Sequence, residues 1–283
     1  MSEVMGAVDT TAGRVISRGM VEERGYRRAF SAVSALLFLA SAAATIVWCA
    51  SMSAMGEMTM PGGWTMSMAW MRIPGQTWLG AAASFMGMWV VMMVAMMLPS
   101  LVPMLSHYRR ATARTGETRL GRLTALAGIG YFFVWTVFGI AVFPLGVALA
   151  AVEMQVSALS RAVPIAAAVV VLLAGFLQFT AWKRRHLACC RGAARGRGCT
   201  LAANAGTALR YGVRLGLHCT LCCVGHMAIL LVIGVMDLRA MVVVAAAITV
   251  ERLAPDGERV ARAAGAVIVA AGLLLIALAA WPG

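Results

Sequence analysis

WLGAAASFMGMWVVMMVAMMLPSLVPM, residues 78–104, contains no charged side chain from Trp78 to Met104. A helix rises 1.5 Å per residue, so a run of this length crosses the ~30 Å hydrocarbon core of a bilayer. Six further apolar runs flank it, at Phe30–Ala50, Leu123–Val152, Ala162–Trp182, Leu215–Met236, Met241–Val250 and Val260–Ala280. Met241–Val250 is short for a span. The expected fold is therefore an all-α, polytopic integral membrane helix bundle with about seven transmembrane helices.

Composition agrees. Apolar residues make up 61% of the chain and charged residues 12%, whereas a soluble domain is about half apolar and about a quarter charged. The apolar residues come in blocks, which predicts one transmembrane domain over 30–281 behind a polar tail at 1–29. The first block exceeds the usual h-region of a signal peptide and follows a long polar segment, so a retained helix is expected.

The net charge of +13 sits between the blocks and is an orientation signal, not a nucleic-acid footprint. With the N-terminus inside and seven spans alternating, only Arg72, Arg161 and Arg239 of the 24 basic residues fall outside. Counting Met241–Val250 as a span is what keeps the basic cluster around Arg259 inside. The N-terminus, the segment His107–Arg122 and a basic Cys/His-containing loop at 183–214 are thus expected to face the cytoplasm. A Met-rich loop at 51–77 is expected outside, with Trp64, Trp70 and Trp78 near the interface. No internal repeat suggests an inverted-repeat transporter.

Candidate chemistry concentrates at His218-Cys219-Thr220-Leu221-Cys222-Cys223-Val224-Gly225-His226-Met227. On a helix Cys219, Cys222 and His226 fall within about 60° of one another, and His218 and Cys223 flank them. Thiolate with imidazole suits soft or borderline ions: copper(I) is favoured and zinc is allowed. A lone cysteine in an apolar helix is ordinary packing, but this density of Cys and His is not. A reducing compartment argues against a disulfide here.

A looser cluster, His186, Cys189, Cys190 and Cys199, lies in the basic loop, where arginine favours thiolate. Methionine forms a third group. The outer loop carries Met52, Met55, Met58, Met60, Met66, Met68 and Met71. The second span carries a stripe of Met88, Met92 and Met96 beside another of Met86, Met93, Met97 and Met104. Thioether is neutral and soft, selects copper(I), and survives in an oxidising compartment. A helical Met stripe is also common packing.

No P-loop, HExxH or GxSxG motif is present. Carboxylates are nearly absent from the spans. Glu251 alone approaches membrane depth, and a helix-end pairing with Arg252 or Arg259 is its expected role. No catalytic residue is assigned.

With these residues read, the chain resembles a bacterial family described as predicted metal-binding integral membrane proteins, a domain of unknown function. The resemblance rests on Met88-Trp89, Ala95-Met96-Met97-Leu98-Pro99-Ser100, Gly130-Tyr131, Trp135, Gln178, Thr180, Lys183 and Cys190-Arg191. It continues through Cys219, Cys222-Cys223, Met227, Gly234-Val235-Met236-Asp237, Glu251 and Pro255. His186 stands where the family pattern has Cys, Val224 replaces an aromatic, and His218 and His226 are additions. These departures leave the metal's identity open. The resemblance implies a metal-binding role in a bacterial inner membrane, with no settled reaction.

The expected function is to bind and move a soft metal, copper(I) first, from outer Met residues to the inner Cys/His cluster. A metallochaperone or cofactor-assembly factor without transport is the alternative. A thiol redox protein using Cys222 and Cys223 is a third. The expected partners are the lipid bilayer and the metal ion, with a recipient metalloprotein or a second copy of the chain allowed, and no nucleic acid.

Overall fold

The structure, a computed structural model, describes residues 2–54, 56, 58–60, 64–66, 70–72, 75–113, 119–194 and 204–280, of which 2–24, 58–59, 66 and 194 by backbone alone. Among these residues the chain is all-α apart from a two-residue β pair. The elements are α1 (Ser2–Ala54), β1 (Met58–Thr59), β2 (Thr65–Met66), α2 (Trp78–Ala113), α3 (Leu120–Gln155), α4 (Ser157–Leu177), α5 (Ala181–Ala194), α6 (Ala205–Ile233), α7 (Leu238–Leu253) and α8 (Gly257–Ala280). Six helices are long and apolar enough to cross a membrane: α1 from Gly25, α2, α3, α4, α6 and α8.

Three details add to these expectations. Helix α1 begins at Ser2, within the segment read as a polar tail. The Met241–Val250 run lies within α7, whose 16 residues rise about 24 Å, short of a full ~30 Å core. The segment read as a loop over 183–214 is helical at both ends. The reason at its start is local. Residues 178–180 close tight i→i−3 turns onto Gly175, Phe176 and Leu177, ending α4. Thr180 Oγ1 then accepts from Lys183 N at 3.2 Å, capping a free donor of α5. At the far end Asn204 and Thr207 form a capping box that starts α6.

Phe30 lies under Arg109 while Trp48 meets Gly87, so α1 and α2 are antiparallel. Trp89 Nε1 donates to Trp135 O at 2.9 Å, and Tyr108 stacks on Tyr211. One end of the bundle gathers Phe30, Arg109, Tyr211, Arg191 and Pro255. The other gathers Trp64, Trp70, Gly146 and Ser160. Helix α7 ends at the first of these, where Arg191 donates to Glu251 O and Ala254 O.

At the second end, β1 and β2 pair antiparallel with Met58 opposite Met66. Trp64 Nε1 donates to Ser160 O at 2.9 Å, and Trp70 packs on Gly146 and Phe85. Met60 is buried among Trp64, Trp70, Met71 and Ala150. The described part of the Met-rich loop therefore folds onto the bundle. Met55 and Met68 lie outside the described residues.

Close helix approach positions the interior. A side chain at Gly130 would meet Leu209 O at 2.5 Å, and one at Gly212 would run into Ala127 O. Only glycine admits backbone this near, and small residues play this part where lipid supplies no hydrophobic drive. Helices α3 and α6 consequently touch backbone to backbone.

Candidate metal centre

Helix α6 carries the sulfur. Cys219, Cys222, Cys223 and Met227 are all buried, facing α2, α3, α5 and α7. The tight α3 contact brings Tyr131 OH to 2.7 Å from Cys219 Sγ. From α2, Met97 Sδ lies 4.0 Å from the same sulfur. From α5, buried Cys190 reaches the same interior, packed in one core with Cys219, Cys222 and Cys223. Four thiols from two helices thus form one buried cluster.

Two cations enter it. Arg252 on α7 donates through one terminal nitrogen to Cys219 Sγ at 2.9 Å and Cys223 Sγ at 2.8 Å. Its other terminal nitrogen donates to Ser100 Oγ at 3.0 Å. Lys183 Nζ donates to Glu251 Oε2 at 2.7 Å and to Cys222 O at 2.9 Å, with Lys183 and Glu251 both buried. Gln178 Nε2 donates to Glu251 Oε1 at 3.3 Å and lies 3.1 Å from His226 Nε2. Burying charges is costly unless each is paired and hydrogen-bonded, and the Lys183–Glu251 pair meets that condition.

This corrects the expected partner of Glu251. It pairs with Lys183, and not with Arg252 or Arg259; Arg259 pairs with Asp256 on the surface at 3.3 Å.

The sequence-predicted residues divide. Cys219, Cys222, Cys223 and Cys190 come together. His226 joins the Gln178–Glu251 network, 3.5 Å from the carboxylate. His218 and His186 form a separate, half-buried pair with Nδ1 atoms 3.4 Å apart, and Trp182 packs edge-on against His186. Cys189 is exposed, and Cys199 lies outside the described residues. Met88, Met92, Met93, Met96 and Met97 are all buried along α2. Among the described residues no group of three or more His, Cys, Asp or Glu is arranged to hold a metal ion. The Arg252 guanidinium contacts two of the thiols, and His218 and His226 lie against His186 and Gln178.

Sequence reading missed Lys183, Gln178, Tyr131, Ser100 and Arg252 as parts of this centre. Two signals were available: Lys183 is the sole lysine of the chain, next to an apolar run, and the family resemblance already rested on Ser100, Tyr131, Gln178 and Lys183.

Fold and site together define a class, a multi-span helical membrane protein with a buried sulfur-rich centre lined by thioether. Residues 86–275 match the family model described as PpoB2, copper chaperone, and the chain belongs to that family. The matched span holds every residue of the centre named above. Neither a curated protein nor a solved structure matches the chain. The match supports the expectation of a copper-related family.

Proposed function

We propose that this chain is a membrane copper chaperone. It takes up Cu(I) through the thioethers of α2, holds it on the thiols of α6 and α5, and passes it to an acceptor protein. The observation that carries this reading is the junction at Cys219, where Met97 Sδ and Cys219 Sγ meet at 4.0 Å. Thioether binds Cu(I) weakly and thiolate strongly, so the ion moves toward the cluster by ligand exchange without ATP. Met88, Met92 and Met96 lie about one turn apart, a step of ~6 Å, so each exchange is local. A deep, multi-thiol hold suits handover to a competing acceptor better than free flow, because conduction requires sites that release easily. The basic end, by the distribution of arginine, faces the cytoplasm. The half-buried His186–His218 pair and exposed Cys189 lie toward that end and suit contact with an acceptor.

Transport across the membrane is the second reading, and the continuity of the Met face favours it. Vesicles containing the protein separate the two. With Cu(I) outside and a Cu(I) indicator inside, a chaperone loads stoichiometrically, leaves the indicator unfilled and gives up its ion to an added apo-acceptor. A transporter fills the indicator through many turnovers unaided. Replacing Met88, Met92 and Met96 together by Leu keeps apolar volume, with a typical cost under about 1.5 kcal/mol each. Loading should slow severalfold while metal supplied from the basic end still binds. Unchanged loading returns the stripe to packing.

A further inference from the structure

Arg252 is the least explained charge in the molecule. It is buried at the end of α7, and a guanidinium does not deprotonate in proteins. Among the described residues no carboxylate lies within salt-bridge distance of it, because Glu251 is given over to Lys183. Its Nε has no hydrogen-bond partner among the described residues. Its contacts are Ser100 Oγ, the two sulfurs of Cys219 and Cys223, and more distantly Cys219 O at 3.5 Å. A buried, unpaired cation is costly. Of its contacts, the sulfurs are the groups that can carry negative charge.

One guanidinium nitrogen touches both sulfurs of an i, i+4 pair on α6. It stands where a metal cation shared by those sulfurs would stand. We propose that Arg252 is a built-in countercharge that makes the Cys219–Cys223 pair selective for a monovalent soft ion. The inference rests on the copper-binding reading given above.

The charges close as follows. Thiols bind metal as thiolates. A monovalent ion on two thiolates carries one net negative charge, and Arg252, swung aside on its long side chain but still held at Ser100, neutralises it. Lys183 and Glu251 already cancel. A divalent ion on the same two sulfurs is neutral by itself and leaves the guanidinium stranded. Softness selects sulfur-loving metals in general; Arg252 adds a choice by charge, which softness cannot make. Arg252 is thus a positioning and specificity residue rather than a further ligand.

Ag(I) and Hg(II) provide the test, since both are soft and both favour two-coordinate thiolate, differing mainly in charge. Their affinities for the purified full-length protein are measured by competition, and the Ag(I)-over-Hg(II) ratio is compared with that of a small dithiol in water. The wild-type ratio should exceed the dithiol's by at least about tenfold, and Arg252→Gln should lower it about a hundredfold, the scale at which stranded buried charges act. Arg252→Lys keeps the charge and should stay within about tenfold of wild type, which a purely packing role would not explain. A wild-type ratio equal to the dithiol's overturns the proposal without any variant, so a poorly folded Arg252→Gln does not shield it. An unchanged ratio in folded Arg252→Gln also overturns it. Cu(I) binding to the wild type is measured alongside. Its absence defeats the copper-binding reading itself, whereas Cu(I) binding with an unmoved ratio defeats only the role of Arg252.

Discussion

Helices α2 and α6 are about as apolar as α1 and α8, yet they live in different surroundings. The most apolar windows of α2 and α6 are 56% and 50% buried inside the protein, against 11% for both α1 and α8. Lipid tails are as apolar as leucine, so hydropathy alone does not tell a lipid-facing helix from a bundle-facing one. Residue type does. The outer helices show Leu36, Val47, Val267, Leu274 and Leu278 to the surroundings, each more than half exposed. The inner pair buries Met92, Met93, Met97, Cys219, Cys222 and Cys223, with Gly212 and Gly216 at the contact with α3. Sulfur and small side chains mark the interior; branched aliphatics mark the wall.

That contrast can be broken by substitution, most strongly at its centre. Cys219→Ser with Cys223→Ser deletes two soft ligands at nearly constant size, and Cu(I) affinity should fall by at least about a hundredfold in a competition titration. Full retention would remove α6 from the metal path and reduce its cysteines to packing. Next in size is Lys183→Met, which strands the Glu251 carboxylate. Breaking a buried pair from one side costs about 3–5 kcal/mol, read as a large drop in the melting temperature in detergent. Adding Glu251→Gln should restore much of it, since removing both charges is far less costly than removing one. No recovery in the double variant would mean the two residues act separately. The smallest effect belongs to the wall. Leu273→Ala with Leu274→Ala on α8 alters side chains 56% and 60% exposed and should change stability by about 0.5 kcal/mol or less each. A large loss there would show that α8 packs against another protein surface, not lipid.

The spans were legible because long uncharged runs have one physical solution in a bilayer, and the α6 cysteines because their spacing repeats with the helix. Helix α5 was hidden. Lys183, Leu187, Cys190 and Arg191 are buried while Arg184, Arg185 and Cys189 face out. This is an amphipathic period, but its buried face holds two cations, so it reads as a loop when hydropathy is the guide. Glu251 misled for a related reason. Local sequence offered Arg252 and Arg259, whereas its true partner lies 68 positions away on a helix not anticipated. Arg252 in turn was read only as a candidate partner for Glu251, whereas its contacts include two sulfurs on another helix.

The single lysine has a practical consequence. Its ε-amine is the only one in the chain, and the side chain is 2% exposed. An amine-reactive reagent therefore finds no lysine on the folded surface, and every lysine adduct must arise from a molecule whose interior has opened. The protein carries its own chemical clock: the rate of modification at one atom counts the openings of the centre, with neither label nor reporter added.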